Sequence, residues 1–273
     1  MAAGVEEAQY IIRRMRVWAA KPAVGVLLLM AVMATACSNP LGPKYEYEEQ
    51  TYLKVDGSAT VLIDASLAAL VALRNLPVDT QSAATIDRDR LRTLFGASGC
   101  GEVRVGQPWV RQGRRFVQVT IQVEDITTLH TCGPLSWSTY VFEKDAGGIH
   151  FQQVVGAPAG IDPGQVNWDG SELVAFKLHS PSKIYFHNVK RLNDGGNGKA
   201  ERGNILTWQQ RLSDRRAGVP VDMDVRIGTD SILFRTLWLF GGAFLSAVIV
   251  LVTLISLTIR RAKRRPALGA KSQ

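Results

Sequence analysis

The chain has 273 residues, of which 46% are hydrophobic, 8% aromatic and 21% charged. That composition excludes a collagen-like, a disulfide-dense and a wholly disordered chain. The formal charge of +8 first suggests an acidic partner such as a nucleic acid. Its distribution argues against one. Residues 1–37 carry four cations (Arg13, Arg14, Arg16, Lys21) against two anions (Glu6, Glu7), residues 260–273 carry six cations and no anion, and residues 38–259 hold 22 of each sign. The surplus sits at the two ends, and between them no basic run marks a nucleic-acid footprint.

Residues 1–36 have the parts of a secretory signal: a basic n-region, a 15-residue uncharged run from Pro22 to Ala36, and a small-residue site. Such a run is short for a bilayer span, which needs about 20 residues. Cys37 follows Ala34-Thr35-Ala36 directly, as in the lipobox of bacterial lipoproteins, where the thiol takes a diacylglycerol and the chain is cut just before it. The expectation is a lipoprotein-type signal with Cys37 lipidated. An uncleaved anchor reaching back through Val17–Ala20, and cleavage without lipidation, are the alternatives.

Residues 37–50 are polar and lack periodicity, so they are expected to be a tether. An extracytoplasmic domain is expected over 51–230. Thr51 to Ala65 alternates around Val55, Val61 and Ile63, with Asp56-Gly57-Ser58 as a turn. Ser66 to Leu76 places Leu67, Leu70, Val71 and Leu73 on one helical face, with Ser66 as a cap and Pro77 as a stop. A second helix is expected from Thr85 to Phe95, with Asp87 and Asp89 in its first turn and Gly96 at its end. Strands follow: Glu102–Arg111 and Arg115–Glu124 across Gln112-Gly113-Arg114, then Trp137–Lys144 and Ile149–Val155 across residues 145–148. Asp125 to Cys132 reads as a short helix or turn. Leu173–His179, Lys183–Val189, Ile205–Leu212 and Val221–Ile227 read as four more strands, the first two joined by a hairpin at Ser180-Pro181-Ser182. The expected class is α+β, an antiparallel sheet with two or three short helices.

Thr236 to Ile259 is 24 residues without a charge, long enough for a transmembrane helix. Arg260, Arg261, Lys263, Arg264 and Arg265 follow it and form a topology signal. Cytoplasmic flanks carry the Lys/Arg excess, so residues 260–273 are expected inside the cell and 38–235 outside. In an organism with two membranes, the helix is expected to keep the protein in the inner one.

Cys100 and Cys132 lie in the exported segment, where thiols oxidise. A disulfide between them would close a loop of about 33 residues and stabilise by roughly 3–4 kcal/mol. Free buried thiols and a reactive site are the alternatives. No catalytic fingerprint is present, and no cofactor or metal is expected. His130, His150, His179 and His187 are scattered; His179 and His187 would approach each other only across the expected hairpin. Asp56 reads as a turn residue, and Asp222 with Asp224 as one solvent-facing strand side.

Three stretches carry a resemblance: Ala34-Thr-Ala-Cys37, Leu53-Lys-Val-Asp-Gly-Ser-Ala-Thr-Val61 and Gly203-Asn-Ile-Leu-Thr-Trp208. With them, the layout of signal, ectodomain, helix and basic tail resembles the LppM-like family of bacterial envelope proteins. The resemblance implies a non-enzymatic ectodomain that binds a lipid or glycolipid. A concave apolar sheet face under the helices 66–76 and 85–95 would be the place for a lipid chain. The other expectations are an accessory subunit docking an envelope protein partner, and an envelope enzyme.

Overall fold

Period-two alternation builds most of the domain, and a few capping residues decide where it stops. A computed structural model of the chain describes residues 43–81, 85–96 and 100–263. Residues 1–36, where a signal is expected, and Cys37, Arg264 and Arg265 lie outside the described residues.

Strands β1 (Tyr45–Leu53) and β2 (Ala59–Ser66) form an antiparallel pair. Their turn is held by Asp56, whose Oδ1 accepts from the Ser58 amide at 3.0 Å and hydroxyl at 2.8 Å, and by Gly57 at φ +90°. The expected tether is thus corrected: residues 45–50 are the first half of β1, an interior strand. Its glutamates look like solvated charge locally, yet Glu46 and Glu49 are buried against arginines far along the chain.

Strand β2 runs straight into helix α1 (Leu67–Arg74), where Ser66 Oγ accepts from the Ala69 amide at 3.0 Å. Asn75, in the left-handed conformation at φ 54°, ends α1 ahead of Pro77. Helix α2 (Arg88–Gly96) is capped by Asp87, whose carboxylate accepts from the Arg90 amide at 2.9 Å. Its Leu91 and Phe95 are buried.

The strand expected at 102–111 is two: β3 (Glu102–Val105) and β4 (Trp109–Arg111), separated at Gly106-Gln107-Pro108 and both paired with β5 (Arg114–Val123). Two short 3-10 segments follow, Ile126–Thr131 and Gly133–Leu135, the first capped by Asp125. Next come β6 (Ser138–Asp145), β7 (Gly148–Val155), β8 (Leu173–His179), β9 (Ile184–His187), β10 (Ile205–Arg211), the short helix α3 (Leu212–Arg216), which the patterning does not predict, β11 (Val221–Ile227) and helix α4 (Ile232–Lys263).

The strands form two sheets rather than one. The larger runs β10-β8-β1-β2-β5-β3, with β4 also on β5; the smaller runs β6-β7-β11-β9. All pairs are antiparallel except β1 with β8, which is parallel. The fold is α+β on antiparallel sheets, as expected. The hairpin at Ser180-Pro181-Ser182 does not exist: β8 belongs to the larger sheet and β9 to the smaller, so these residues carry the chain between sheets. One cluster of buried side chains joins both sheets, including Val61, Ile63, Val119 and Phe176 from the larger and Phe151, Met223 and Val225 from the smaller. Helix α1 packs on β2 and β5 and fills that face with its own Leu67, Leu70 and Leu73.

Candidate functional site

Among the described residues, the interior holds a concentration of charge around Glu49 and Arg74. Glu49 of β1 accepts three hydrogen bonds: from Arg74 Nη2 at 2.8 Å and Tyr47 OH at 2.7 Å on Oε2, and from Gln153 Nε2 at 2.7 Å on Oε1. Arg74 ends α1 and Gln153 lies on β7, so a single carboxylate ties a helix to both sheets. The Arg74 and Glu49 side chains are 2% and 1% exposed. Arg74 also donates to the Tyr47 hydroxyl, and its guanidinium lies 3.1 Å from the Trp137 ring centroid. Arg215 of α3 lies 5.2 Å from the same centroid and donates to the carbonyls of Val155 and Gly156.

Burial pushes the Tyr47 and Tyr140 hydroxyls well above their usual value, so both stay protonated. Burial, helped by the charge of Arg74, lowers Arg215 to about 10, which leaves it cationic at neutral pH. Arg74 Nε and Nη1, Arg215 Nε and Trp137 Nε1 are buried without a hydrogen-bond partner among the described residues, all of them donors.

The surface carries polar openings. A cleft of about 830 Å³ is lined by Lys54, Asp56, Ser58, Glu102, Glu124 and Asp125, among others. A smaller recess of about 300 Å³ surrounds Arg114, which pairs with Glu46 at 2.9 Å and lies 3.9 Å from Glu172.

The residues singled out from sequence are placed as follows. Cys100 and Cys132 form a disulfide, with Cα atoms 4.7 Å apart. Beside it Gly101 has φ +72°, and a Cβ there would lie 2.1 Å from the Gln122 carbonyl, so only glycine fits. His179 and His187 are not brought together, because they lie in different sheets. His179 Nε2 meets Gln50 Oε1 at 3.0 Å and stacks on Tyr52 with centroids 3.9 Å apart. Burial, and then the charge of Lys177, lowers its pKa to about 4. His150 pairs with Asp224 at 2.9 Å, His130 meets the Thr127 carbonyl at 2.6 Å, and Asp222 accepts from Gln152 at 2.9 Å. Among the described residues no three metal-binding side chains gather. Sequence reasoning missed the Arg74–Glu49 pair. Its signal was a charge at the end of an otherwise apolar helix, facing an alternating Tyr/Glu strand.

The apolar run of α4 covers Thr236–Arg260, 25 residues, all with exposed side chains. At 1.5 Å per residue it spans about 38 Å, more than the roughly 30 Å of a hydrocarbon core. The helix continues through Arg260, Arg261 and Lys263, so the first residues of the expected tail belong to it.

No family model matches the chain, and no curated protein does. Among solved structures it is similar to the folded domain of LppM from Mycobacterium tuberculosis, determined by NMR. The identity is 12% and the TM-score 0.37, over 71% of this chain and 96% of that domain. The likeness is weak and lies at the level of fold.

Proposed function

We propose that the chain is a membrane-anchored, extracytoplasmic module of the bacterial cell envelope. It acts by binding, not catalysis, with a lipid, glycolipid or envelope protein as partner. The observation that carries the reading is the agreement of two independent features on orientation. The disulfide lies in the domain on the N-terminal side of the apolar helix, and disulfides persist in oxidising compartments. The basic cluster from Arg260 lies on the other side, and such clusters stay in the cytoplasm. The non-catalytic part is supported by the use made of polar groups: Arg74 is paired with Glu49, His150 with Asp224 and His179 with Gln50. Lipidation of Cys37 adds a second anchor at the domain's other end.

Thiol trapping in intact cells tests the compartment. Cells expressing the full chain are quenched in acid and alkylated. Cys100 and Cys132 are expected to react only after reduction, and free thiols at both would contradict the reading. A clickable fatty acid tests the second anchor: label lost in Cys37→Ser supports it, and label retained refutes it.

A further inference from the structure

Strand β9 breaks the period-two rule. Phe186 pairs with Arg226 and Ile184 with Ile227, which leaves Tyr185 as one extra residue on β9. A bulge of this kind re-aims a side chain. Two neighbouring aromatics consequently both face outward, Tyr185 at 61% and Phe186 at 47% exposure, on the edge strand of the smaller sheet. Exposed Lys183 and Arg226 flank them, with Lys183 Nζ 5.6 Å from the Tyr185 centroid.

This edge is fixed to the root of the apolar helix. Ser182 Oγ donates to the Asp230 carbonyl at 2.6 Å, and the Gly228 amide donates to the Lys183 carbonyl at 2.9 Å. The Tyr185 ring lies over Gly228, where a Cβ would come within 3.1 Å of its hydroxyl. From Asp230 the chain reaches Thr236 with α4 already begun at Ile232, a reach of about 13 Å at most. The headgroup layer fills the outer part of that distance. We infer that Tyr185 and Phe186, with Lys183 and Arg226, dock the domain on the phospholipid headgroups of the membrane that α4 enters. Amphipathic and aromatic rings favour that layer, and the two cations suit its phosphates. The carboxylates nearby are Asp230, at the start of the link, and Asp224 and Glu143, on the strand face that carries Arg226, where both lie against His150. The inference rests on α4 crossing a membrane.

The larger sheet supplies a control. Its Tyr52 end lies beside His179, which leads through Ser182 to Asp230. Its Tyr45 end receives Arg111 from β4, so the exposed Val110 sits about 25 Å away along β1. In the test, p-benzoylphenylalanine replaces Tyr185, Phe186, Val110 or Leu245 one at a time. The full chain is placed in nanodiscs of phosphatidylcholine and phosphatidylglycerol. An intact Cys100–Cys132 bond reports folding. Irradiation is expected to give lipid adducts at 185, 186 and 245 and none at 110. Adducts at 245 but not at 185 and 186, adducts from 185 or 186 to a second protein copy, or equal adducts at 110 would overturn the docking while leaving the anchor in place. Absence of adducts at 245 would overturn the anchor itself.

Discussion

Glu49 and Arg74 form an ion pair whose side chains are 1% and 2% exposed. A buried ion pair gives little net stability when compared with an apolar pair, but removing one partner strands the other charge at a cost of about 3–5 kcal/mol. Glu49→Leu and Arg74→Met are each expected to destabilise the chain by about that much. The double variant is expected to lie closer to the parent than either single one. Urea unfolding of the solubilised full chain, followed by near-ultraviolet circular dichroism, measures all three. Additive losses would show that the pair is not coupled.

His179 makes a second prediction at this scale. Its folded pKa is held at about 4, below the ordinary 6.5, because burial disfavours the charged ring. The unfolded chain then binds the proton more readily than the folded one. Stability is fully present above about pH 6.5 and falls as pH drops towards about 4. His179→Gln is expected to flatten that part of the Tm profile; an unchanged slope would assign it to other groups.

At the scale of elements, the disulfide joins the residues just before β3 to the junction of the two 3-10 segments. It closes a loop with a sequence separation of 32. Cys100→Ser together with Cys132→Ser is expected to cost about 3–4 kcal/mol in the chain-entropy model, read as a lower urea midpoint. A midpoint unmoved by the substitutions would mean that packing alone holds this corner.

The elements that local chemistry specifies are legible in the sequence. Strands β5 and β7 alternate cleanly, Ser66 and Asp87 cap the helices that follow them, and the two domain cysteines announce their bond. What is not legible depends on distant partners. Residues 45–50 read as a tether because nothing local shows that Glu49 meets Arg74, 25 residues on, or that Glu46 meets Arg114, 68 residues on. Ser180-Pro181-Ser182 reads as a hairpin turn because its true partner, the Asp230 carbonyl, lies 48 residues away. The bulge at Tyr185 is equally silent, since two adjacent aromatics fit a strand of either register.

For the whole molecule, the +8 charge sits at the two ends of the chain, while residues 38–259 hold 22 charges of each sign. The neutral domain lies between the expected signal segment and a basic helix end, and the uncharged stretch of α4 separates it from that end. On the proposed docking, the side of the domain that faces the lipid is the one where β9 and the root of α4 are bonded together. Protease protection measures this arrangement directly. Spheroplasts expressing the full chain with an epitope after Gln273 are treated with protease before lysis. The account predicts that residues on the N-terminal side of Thr236 are digested while a fragment carrying α4 and the epitope survives. Loss of the epitope with the domain intact would contradict it.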